Sequence, residues 1–408
     1  MNFVIEISTR KDGEALRIES IRIKNFKILK DVSLKNIPGM AVFLGANGAG
    51  KSTFFDVFGF LHDCLTDNVR AALIKRGGFK EVISRGQKGP IEFEIKFRSA
   101  PGEPLVTYEL HIDQDKTGLP VVSKELLKYR RGQKGRPWHF LDFANGTGHA
   151  IINEGDYGKP GAQEAREQQT LDSPDILAIK GLGQFQKYKQ IASFRRLMEG
   201  WHVSDFRIES ARSSHDAGYA EHLTDTGDNL ALVAQFMHEH YPERFQRILV
   251  KMTQRVPGIV SVEAAETADG RIVLRFQDGD FKDPFISRYV SDGTLKMFAY
   301  LILLHDPTPH PLLCIEEPEN QLHPELLLEL SEEFRDYASN GGQVLISTHS
   351  PDFVNGIKLE ELFWLHKENG FSKVVRASED ALLRNLVSEG DLPGALWKQG
   401  FFKGAGPL

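Results

Sequence analysis

Residues Gly45 to Ser52, GANGAGKS, have the spacing of a phosphate-binding loop, G-x-x-x-x-G-K-[ST]. An apolar run precedes the loop and the apolar helical pattern FFDVFGFLHDCL follows it, which is the context that this motif requires. Glycines let backbone N–H groups face a phosphate, and the following helix adds its positive N-terminal end. We therefore expect Lys51 to bind the β- and γ-phosphates of ATP and the Ser52 hydroxyl to bind Mg²⁺. The other expected nucleotide contacts of this loop are Gly45, Asn47, Gly48, Gly50 and Thr53. The alternative, a glycine-rich turn without a ligand, is disfavoured by the complete motif.

Two adjacent acids follow a second apolar run, in PLLCIEEPEN. Glu316 stands where a single acid ends the strand beside the phosphate loop in many P-loop proteins, so we expect it to hold Mg²⁺. Pro318 ends the strand and leaves Glu317 near the γ-phosphate, where a carboxylate can orient or deprotonate the attacking water. The alternative is that Glu317 only caps or solvates the end of the strand.

A histidine ends the next apolar run, in QVLISTHSPDF. A neutral imidazole at His349 can donate a hydrogen bond to the γ-phosphate or to the attacking water. A single histidine at the end of a strand is more often structural. Together with the phosphate loop and the two acids, His349 is predicted to sense the γ-phosphate.

A second anion site is predicted at Ser291-Asp292-Gly293, which precedes the apolar helical pattern TLKMFAYLILL. Serine is a favoured helix N-cap, and glycine permits a close approach of another backbone. The free N–H groups of a helix N-terminus bind anions. Two chains arranged head to tail would place Ser291 and Gly293 against the γ-phosphate held by the partner chain. An ordinary capped helix is the alternative.

Strands and helices that alternate along the chain must position these residues. The segment LRIESIRIKNFKILKDVSL and the runs PIEFEIKF and LVTYELHID alternate apolar and polar residues, as half-buried antiparallel strands do. The strand–helix–strand order around PLLCIEEPE and QVLISTHS predicts a mostly parallel sheet. We expect an N-terminal lobe over 1–125, an inserted loop-rich and helical lobe over 126–256, and a C-terminal lobe over 257–408.

Composition and charge limit the class of protein. The chain has 408 residues, of which 41% are hydrophobic and 26% charged, with a net charge of −6. Because nucleic acids and anionic membranes are also negatively charged, the net charge of the protein does not favour binding to either. Such a contact would need a local basic patch. The two cysteines suit a reducing cytosol, and we expect neither a signal peptide nor a membrane span. These features predict a globular protein of the cytoplasm without a membrane partner.

Taken together, the phosphate loop, the S-D-G-T helix start, E-E-P-E and T-H-S resemble the ATP-binding-cassette class of ATPases. Within that class the chain is most similar to the RecF/SMC/OLD-related branch, also called predicted AAA-family ATPases, whose opening strand IRIKNFKILKDVSL matches. The resemblance implies an α/β P-loop NTPase fold with a mixed sheet flanked by helices, an antiparallel β subdomain and an inserted, mainly helical lobe. It also implies a homodimer or higher oligomer with ATP between the chains, and it places Asn320 and His323 at the dimer contact. The family glutamine that links the Mg²⁺ site to lobe movement has Gln184 as its candidate, with Gln186 as the substitute.

Three functions are compatible with the resemblance. The first is an ATPase whose dimerisation switches an associated effector, in DNA repair or in defence against phage. The second is a DNA-binding module, because LLKYRRGQKGRPWHF and QFQKYKQIASFRRLMEGW combine basic and aromatic residues, although such stretches are also found on solvated surfaces. A transporter subunit is the third, disfavoured by SDGT in place of SGGQ. No coiled-coil segment is predicted, and we expect any nuclease activity to come from a separate protein partner.

Overall fold

The computed structural model describes residues 17–98, 105–129, 137–156, 159 and 161–406. Its strands are β1 (Arg17–Phe26), β2 (Leu29–Lys35), β3 (Met40–Gly45), β4 (Ile91–Arg98), β5 (Val106–Gln114), β6 (Pro120–Tyr129), β7 (Trp138–Ala144), β8 (Thr147–Ile151), β9 (Arg166–Thr170), β10 (Trp201–Ser204), β11 (His215–Asp216), β12 (Ile259–Glu266), β13 (Arg271–Asp278), β14 (Phe285–Ile286), β15 (Leu312–Glu316), β16 (Val344–Ser347), β17 (Leu362–Glu368) and β18 (Phe371–Arg376).

The α-helices are α1 (Lys51–Thr66), α2 (Val69–Ile74), α3 (Phe79–Val82), α4 (Ala178–Leu182), α5 (Lys189–Glu199), α6 (Ile208–Ala211), α7 (Leu230–His240), α8 (Pro242–Arg255), α9 (Asp292–Leu304), α10 (Glu325–Ser339), α11 (Pro351–Val354), α12 (Ala381–Ser388) and α13 (Pro393–Lys398). None of the helices in the described ranges is both long and apolar enough to cross a membrane.

A central six-stranded sheet has the order β10-β15-β16-β3-β17-β18, and only β18 runs antiparallel to its neighbour. All six residues of β3 and all four of β16 are buried, which explains their continuous apolar sequences, since parallel sheets are covered on both faces. The carboxyl ends of β3, β15 and β16 therefore meet at one edge. The sequence predicted this sheet correctly.

An eight-stranded antiparallel sheet has the order β2-β1-β4-β5-β6-β7-β8-β9. Alternate residues of β4 and β5 are buried, which confirms the strands predicted from PIEFEIKF and LVTYELHID. A small third sheet contains β11, β13, β12 and β14. The fold is that of the predicted P-loop NTPase class with an antiparallel β subdomain.

Two apolar cores cover the two faces of the central sheet. Ala41 and Phe43 of β3 point into the core that contains α1 and the antiparallel sheet. Met40, Val42 and Leu44 point into the other core, which contains α9 and α10. Helices α1 and α9 therefore pack on opposite faces of the sheet.

Residues 126–256, predicted as an inserted loop-rich and helical lobe, contain helices α4–α8 and also strands β7–β11. Strand β6 runs across the predicted boundary at 125, and β10 pairs with β15 in the central sheet. Phe194 of α5 stacks on Phe97, so this helix packs against the antiparallel sheet. The three-lobe division remains a prediction.

Candidate nucleotide-binding site

The phosphate loop connects β3 with α1, as the sequence predicted. Gly48 and Gly50 have φ angles of 73° and 110°, which side chains with a Cβ rarely adopt. A Cβ on Gly50 would also clash with Ser372 Oγ, and one on Gly45 would lie 2.5 Å from Leu365 O. The glycines are therefore required both for the curl of the loop and for its packing against β17 and β18.

Lys51 is a buried cation inside this loop, with only 6% of its surface exposed. Its Nζ donates to Gly45 O at 2.7 Å and to Ala46 O at 3.4 Å. Burial lowers the pKa of Lys51 to about 8, although the nearby carboxylates of Glu317, Glu319 and Glu316 act in the opposite direction. A buried ammonium with backbone carbonyls as its hydrogen-bond acceptors is suited to receive an anion.

Ser52 and Glu316 line the same cleft, and the Ser52 hydroxyl acts to lower the pKa of the Glu316 carboxyl. Burial raises the pKa of Glu316, and the negative charge of Glu317 adds to this effect. The cleft has a volume of about 540 Å³. Its lining is largely charged and comprises Lys27, Ser52, Thr53, Asp56, Asp63, Lys75, Arg76 and Glu316.

Glu317 leaves the strand and turns away from Glu316. Its φ of 46° is left-handed, and its N–H donates to Ser347 O at 2.8 Å, which ties the turn to β16. One carboxylate oxygen accepts from Asn320 Nδ2 at 2.9 Å, and the other lies 3.4 Å from His349 Nε2. Burial and the charge of Lys51 lower the pKa of His349, so the imidazole is neutral near pH 7. The structure thus brings both predicted catalytic residues into contact.

Two residues of this region were not predicted from the sequence. Glu319 accepts the backbone N–H of His349 at 2.6 Å, and its second oxygen is buried without a partner in the described part of the chain. Lys296, the only charged residue within TLKMFAYLILL, is buried and donates to Asn320 O at 2.8 Å. Burial lowers its pKa to about 8. A lone lysine in an apolar helix was the available sequence signal for this contact.

Ser291 is the N-cap of α9, and its Oγ accepts from Thr294 N at 3.2 Å. Gly293 faces the turn after β15, where a Cβ would lie 2.8 Å from Gln321 O. Arg212, which the sequence did not indicate, fixes the segment that precedes this helix. Its guanidinium donates to Ser287 O, Arg288 O, Val290 O and Asp292 Oδ1 at 2.5 to 3.0 Å. The predicted second anion site is therefore exposed yet firmly positioned.

Gln184 is not brought together with these residues. It is exposed and its Nε2 donates to Lys180 O at 3.4 Å. Lys180 Nζ in turn donates to Thr66 O and Asp67 O, at the end of α1 opposite to Lys51. A helix of 16 residues is about 24 Å long, so Gln184 lies far from the phosphate loop. The substitute candidate, Gln186, is exposed in the same segment.

The two basic and aromatic stretches give little support to a nucleic-acid surface. Of the first, 126–140, residues 130–136 lie outside the described residues. In the second, Tyr188, Phe194 and Trp201 are buried in the core, and only Phe185 is exposed among its aromatic residues. Lys187 Nζ and Arg195 Nη2 form ion pairs with Glu167 and Glu199. Core packing therefore accounts for most of the aromatic content that suggested base stacking.

The loop fits the triphosphate of ATP. No acidic residue lies in the first turn of α1 and no side chain caps its N-terminus, so these N–H groups remain available to an anion. The hydroxyl of Ser52 and the carboxylate of Glu316 form an oxygen pair of the kind that Mg²⁺ prefers. Lys51, the loop backbone and this oxygen pair are together the donor set that a Mg²⁺-bound nucleotide requires.

Comparison with known proteins identifies a family for this chain. Residues 40–355 match the family described as "AAA domain, putative AbiEii toxin, Type IV TA system". A DNA replication and repair protein RecF of Corynebacterium jeikeium is 25% identical over 137 residues, which are 31% of this chain and 32% of the relative. The chain thus spans about a third of the length of the curated relative it matches.

A solved structure shares the fold. An Smc head bound to the C-winged helix domain of ScpA has a TM-score of 0.52 at 14% identity, covering 88% of this chain and 96% of that one. An SMC head domain from Thermotoga maritima has a TM-score of 0.44 at 13% identity, covering 88% and 98%. The chain belongs to the AAA domain family whose model matches residues 40–355, and it shares the fold of an Smc head.

Proposed function

We propose that this chain hydrolyses ATP with Mg²⁺ and that ATP joins two copies head to tail. The observation that supports it most strongly is the different environment of two adjacent acids. Glu316 lies beside Ser52 in the lining of the cleft, whereas Glu317 turns out of the strand toward Asn320 and His349. This difference supports a metal-binding role for Glu316 and a water-activating role for Glu317.

Each group of residues has a separate role in the proposed reaction. Lys51 and the loop N–H groups would hold the β- and γ-phosphates, and Ser52 and Glu316 would hold Mg²⁺, which when bound neutralises phosphate charge. Glu317 accepts a proton from the attacking water, and Asn320 and His349 fix its carboxylate in place. A neutral His349 donates to the transferred phosphate or to the water.

The head-to-tail dimer is supported by the surface around Ser291. Because α1 and α9 pack on opposite faces of the sheet, the phosphate loop and the Ser291 helix start belong to different sides of one chain. Beside Ser291 lie Phe285, Ile286 and Tyr289, which are 37%, 37% and 72% exposed. Exposed apolar residues next to a polar site suit an interface with a second copy. Asn320 and His323 would lie at the same contact.

The dimer is proposed to switch an associated activity. The matching family carries a toxin and a toxin–antitoxin system in its description, and one structural neighbour binds ScpA. Both favour a protein effector, with a role in defence against phage or in DNA repair. The RecF relative favours a second candidate, an ATP-gated clamp on DNA. Buried, unpaired Cys64 and Cys314 suit a cytoplasmic location.

The deciding experiment compares Glu317→Gln with Glu316→Gln. Glutamine keeps the size of Glu317 but cannot take the proton, so we expect hydrolysis to fall roughly 10²–10⁴-fold while ATP binding persists. That variant accumulates as a dimer with Mg-ATP on size-exclusion chromatography. Glu316→Gln weakens Mg²⁺ placement and gives slow turnover without a stable dimer. Glu389→Gln, at an exposed glutamate after α12, is the matched control.

The outcomes separate the parts of the proposal. Wild-type hydrolysis by Glu317→Gln would refute the assignment of the base. Slow hydrolysis by a protein that remains a monomer would retain the base and refute the ATP-bridged dimer. Copurification of a second protein supports the effector, whereas retention on DNA that weakens with salt supports the clamp.

A further inference from the structure

Three histidines and an aspartate cluster at the end of the central sheet opposite to the phosphate site. His202 lies on β10, His222 precedes α7, and Asp306 and His310 lie between α9 and β15. The ring centroids of His202 and His310 are 4.8 Å apart, and those of His222 and His310 are 5.6 Å apart. Strand β15 separates this cluster from Glu316 by five residues, or roughly 16 Å.

Two of these rings are anchored through Nδ1 and leave Nε2 without a partner. His310 Nδ1 lies 3.2 Å from Gly200 O, and His202 Nδ1 lies 3.3 Å from Asp225 Oδ1. Both Nε2 atoms are buried and find no hydrogen-bond partner within the described ranges, and the His202 side chain is only 3% exposed. Buried polar atoms are rarely left unpaired. A ring whose Nδ1–H donates to an oxygen presents the lone pair of Nε2, as metal-bound histidines do.

An acid completes the donor set. Asp306 is 4% exposed, and its Oδ2 lies 2.8 Å from His222 Nδ1. Its Oδ1 accepts Thr308 N at 2.8 Å, which fixes the carboxylate. His222, Asp306 and His310 each offer one ligand atom, and these atoms lie within 4.8 Å of one another. Among the described residues this is the group with metal-ligand spacing.

We propose that His222, Asp306 and His310 bind a Zn²⁺ ion, with His202 as the candidate for the fourth ligand. Two or three imidazoles and a carboxylate are a donor set that zinc favours in tetrahedral sites. Such a site joins β10, the segment before α7 and the segment between α9 and β15. Asp306 and His310 follow the C-terminal end of α9, the helix whose N-cap is Ser291. The ion would therefore fix this end of α9, and its role would be structural.

The simpler alternative is an ion pair between His222 and Asp306 without a metal. The ion pair and the zinc site differ in whether Nε2 of His310 has a partner. An ion pair does not need His310, whereas a zinc site loses one of its three closest ligands when His310 is replaced. The test therefore centres on His310 rather than on the pair.

Metal binding is tested without nucleotide, on full-length protein stripped by a chelator, in a Ser52→Ala background that disables the Mg²⁺ site. We expect one equivalent of Co²⁺ to give the intense visible absorption of a tetrahedral complex and Zn²⁺ to displace it. Zn²⁺ should also raise the Tm. His310→Gln and Asp306→Asn should weaken Zn²⁺ binding at least tenfold, while His149→Gln, at an exposed histidine of β8, should not.

Absence of stoichiometric Co²⁺ binding, or equal affinity in His310→Gln and His149→Gln, would overturn the zinc site and leave the ion pair. If His310→Gln does not fold, the conservative Asp306→Asn decides by the same two readouts. Because no nucleotide is present, a negative result here leaves the proposed ATPase untouched, and an inactive ATPase leaves the zinc site untouched.

Discussion

Adjacent residues at the end of β15 have different environments because the backbone turns between them. Glu316 is the last strand residue, and Glu317 has a left-handed φ, which few non-glycine residues adopt. Such local strain persists where the surrounding structure fixes it, here through the bonds of Glu317 to Ser347, Asn320 and His349. The turn therefore separates the proposed metal ligand from the proposed base within two residues.

Lys51 allows a prediction at the same scale. Lys51→Ala removes the buried cation of the phosphate loop, so we expect the loss of ATP binding, measured with a fluorescent nucleotide. Among the described residues, its Nζ hydrogen-bonds only to the carbonyls of the loop, so the Tm should not fall by more than a few degrees. Lys80→Ala, at an exposed lysine of α3, is the control. Tight ATP binding by folded Lys51→Ala would contradict the assignment of the loop.

The residues with a local motif were the ones that the sequence could predict. Lys51, Ser52, Glu316 and His349 follow apolar strands at fixed positions, and the structure places them at one edge. Arg212 could not be predicted in this way, because it binds Asp292 eighty residues further along the chain. Gln184 was predicted from its residue type alone, without a flanking element, and the structure does not bring it to the site.

At the scale of elements, Glu125 joins β6 to the start of α4. Its carboxylate accepts the backbone N–H groups of Ala178 and Ile179 and the hydroxyl of Tyr108 at 2.5 to 3.1 Å. Glu125 is completely buried, and this burial raises its pKa to about 7 despite these hydrogen bonds. The folded state therefore binds a proton more tightly here than the unfolded chain does.

This contact predicts a pH dependence of stability. A raised pKa in the folded state contributes stability below about pH 4.5, and the contribution is lost as the pH rises through about 7. We expect the Tm of the wild type to fall over this window relative to that of Glu125→Gln, measured by calorimetry at several pH values. Glu389→Gln, at an exposed glutamate, should follow the wild type. Parallel curves for wild type and Glu125→Gln would show that Glu125 ionises normally.

Elements with a clear hydrophobic period were predictable, and those without one were not. Strands β3, β4, β5, β15 and β16 follow from apolar runs or alternation. Strand β9, REQQT, has no apolar residue because it is a solvated edge strand, so no pattern identifies it. Strand β10, WHVS, follows directly on α5 and joins the central sheet only through its pairing with β15.

At the scale of the whole molecule, the proposed dimer predicts that Ser291 acts on the partner's nucleotide. Ser291→Arg places a long cation where the γ-phosphate of the other chain would lie. We expect ATP binding by the monomer to stay within a few-fold of wild type, while hydrolysis and the ATP-dependent dimer are lost. Equilibrium nucleotide binding, phosphate release and size-exclusion chromatography measure the three quantities.

Ser388→Arg, at an exposed serine of α12, is the matched control and should change none of them. Equal loss of binding and hydrolysis in Ser291→Arg would mean that Ser291 acts within its own chain or supports the fold. Arg212 and the Ser291 N-cap hold the same segment, so circular dichroism of the variant must match that of the wild type.

The hydrogen bonds from Lys296 to Asn320 and from Asn320 to Glu317 have a consequence for timing. Lys296 lies on the helix whose start would contact the nucleotide of the other chain, whereas Glu317 would act on the nucleotide of its own. In the proposed dimer, the helix start that contacts one nucleotide is therefore linked to the base of the other pocket through Lys296 and Asn320. When two steps must follow one another before the dimer opens, the lifetimes of the closed dimer have a peaked distribution. A single step would give an exponential distribution of these lifetimes. We expect such a pair of chains to act as a timer, with a characteristic interval between closing and release.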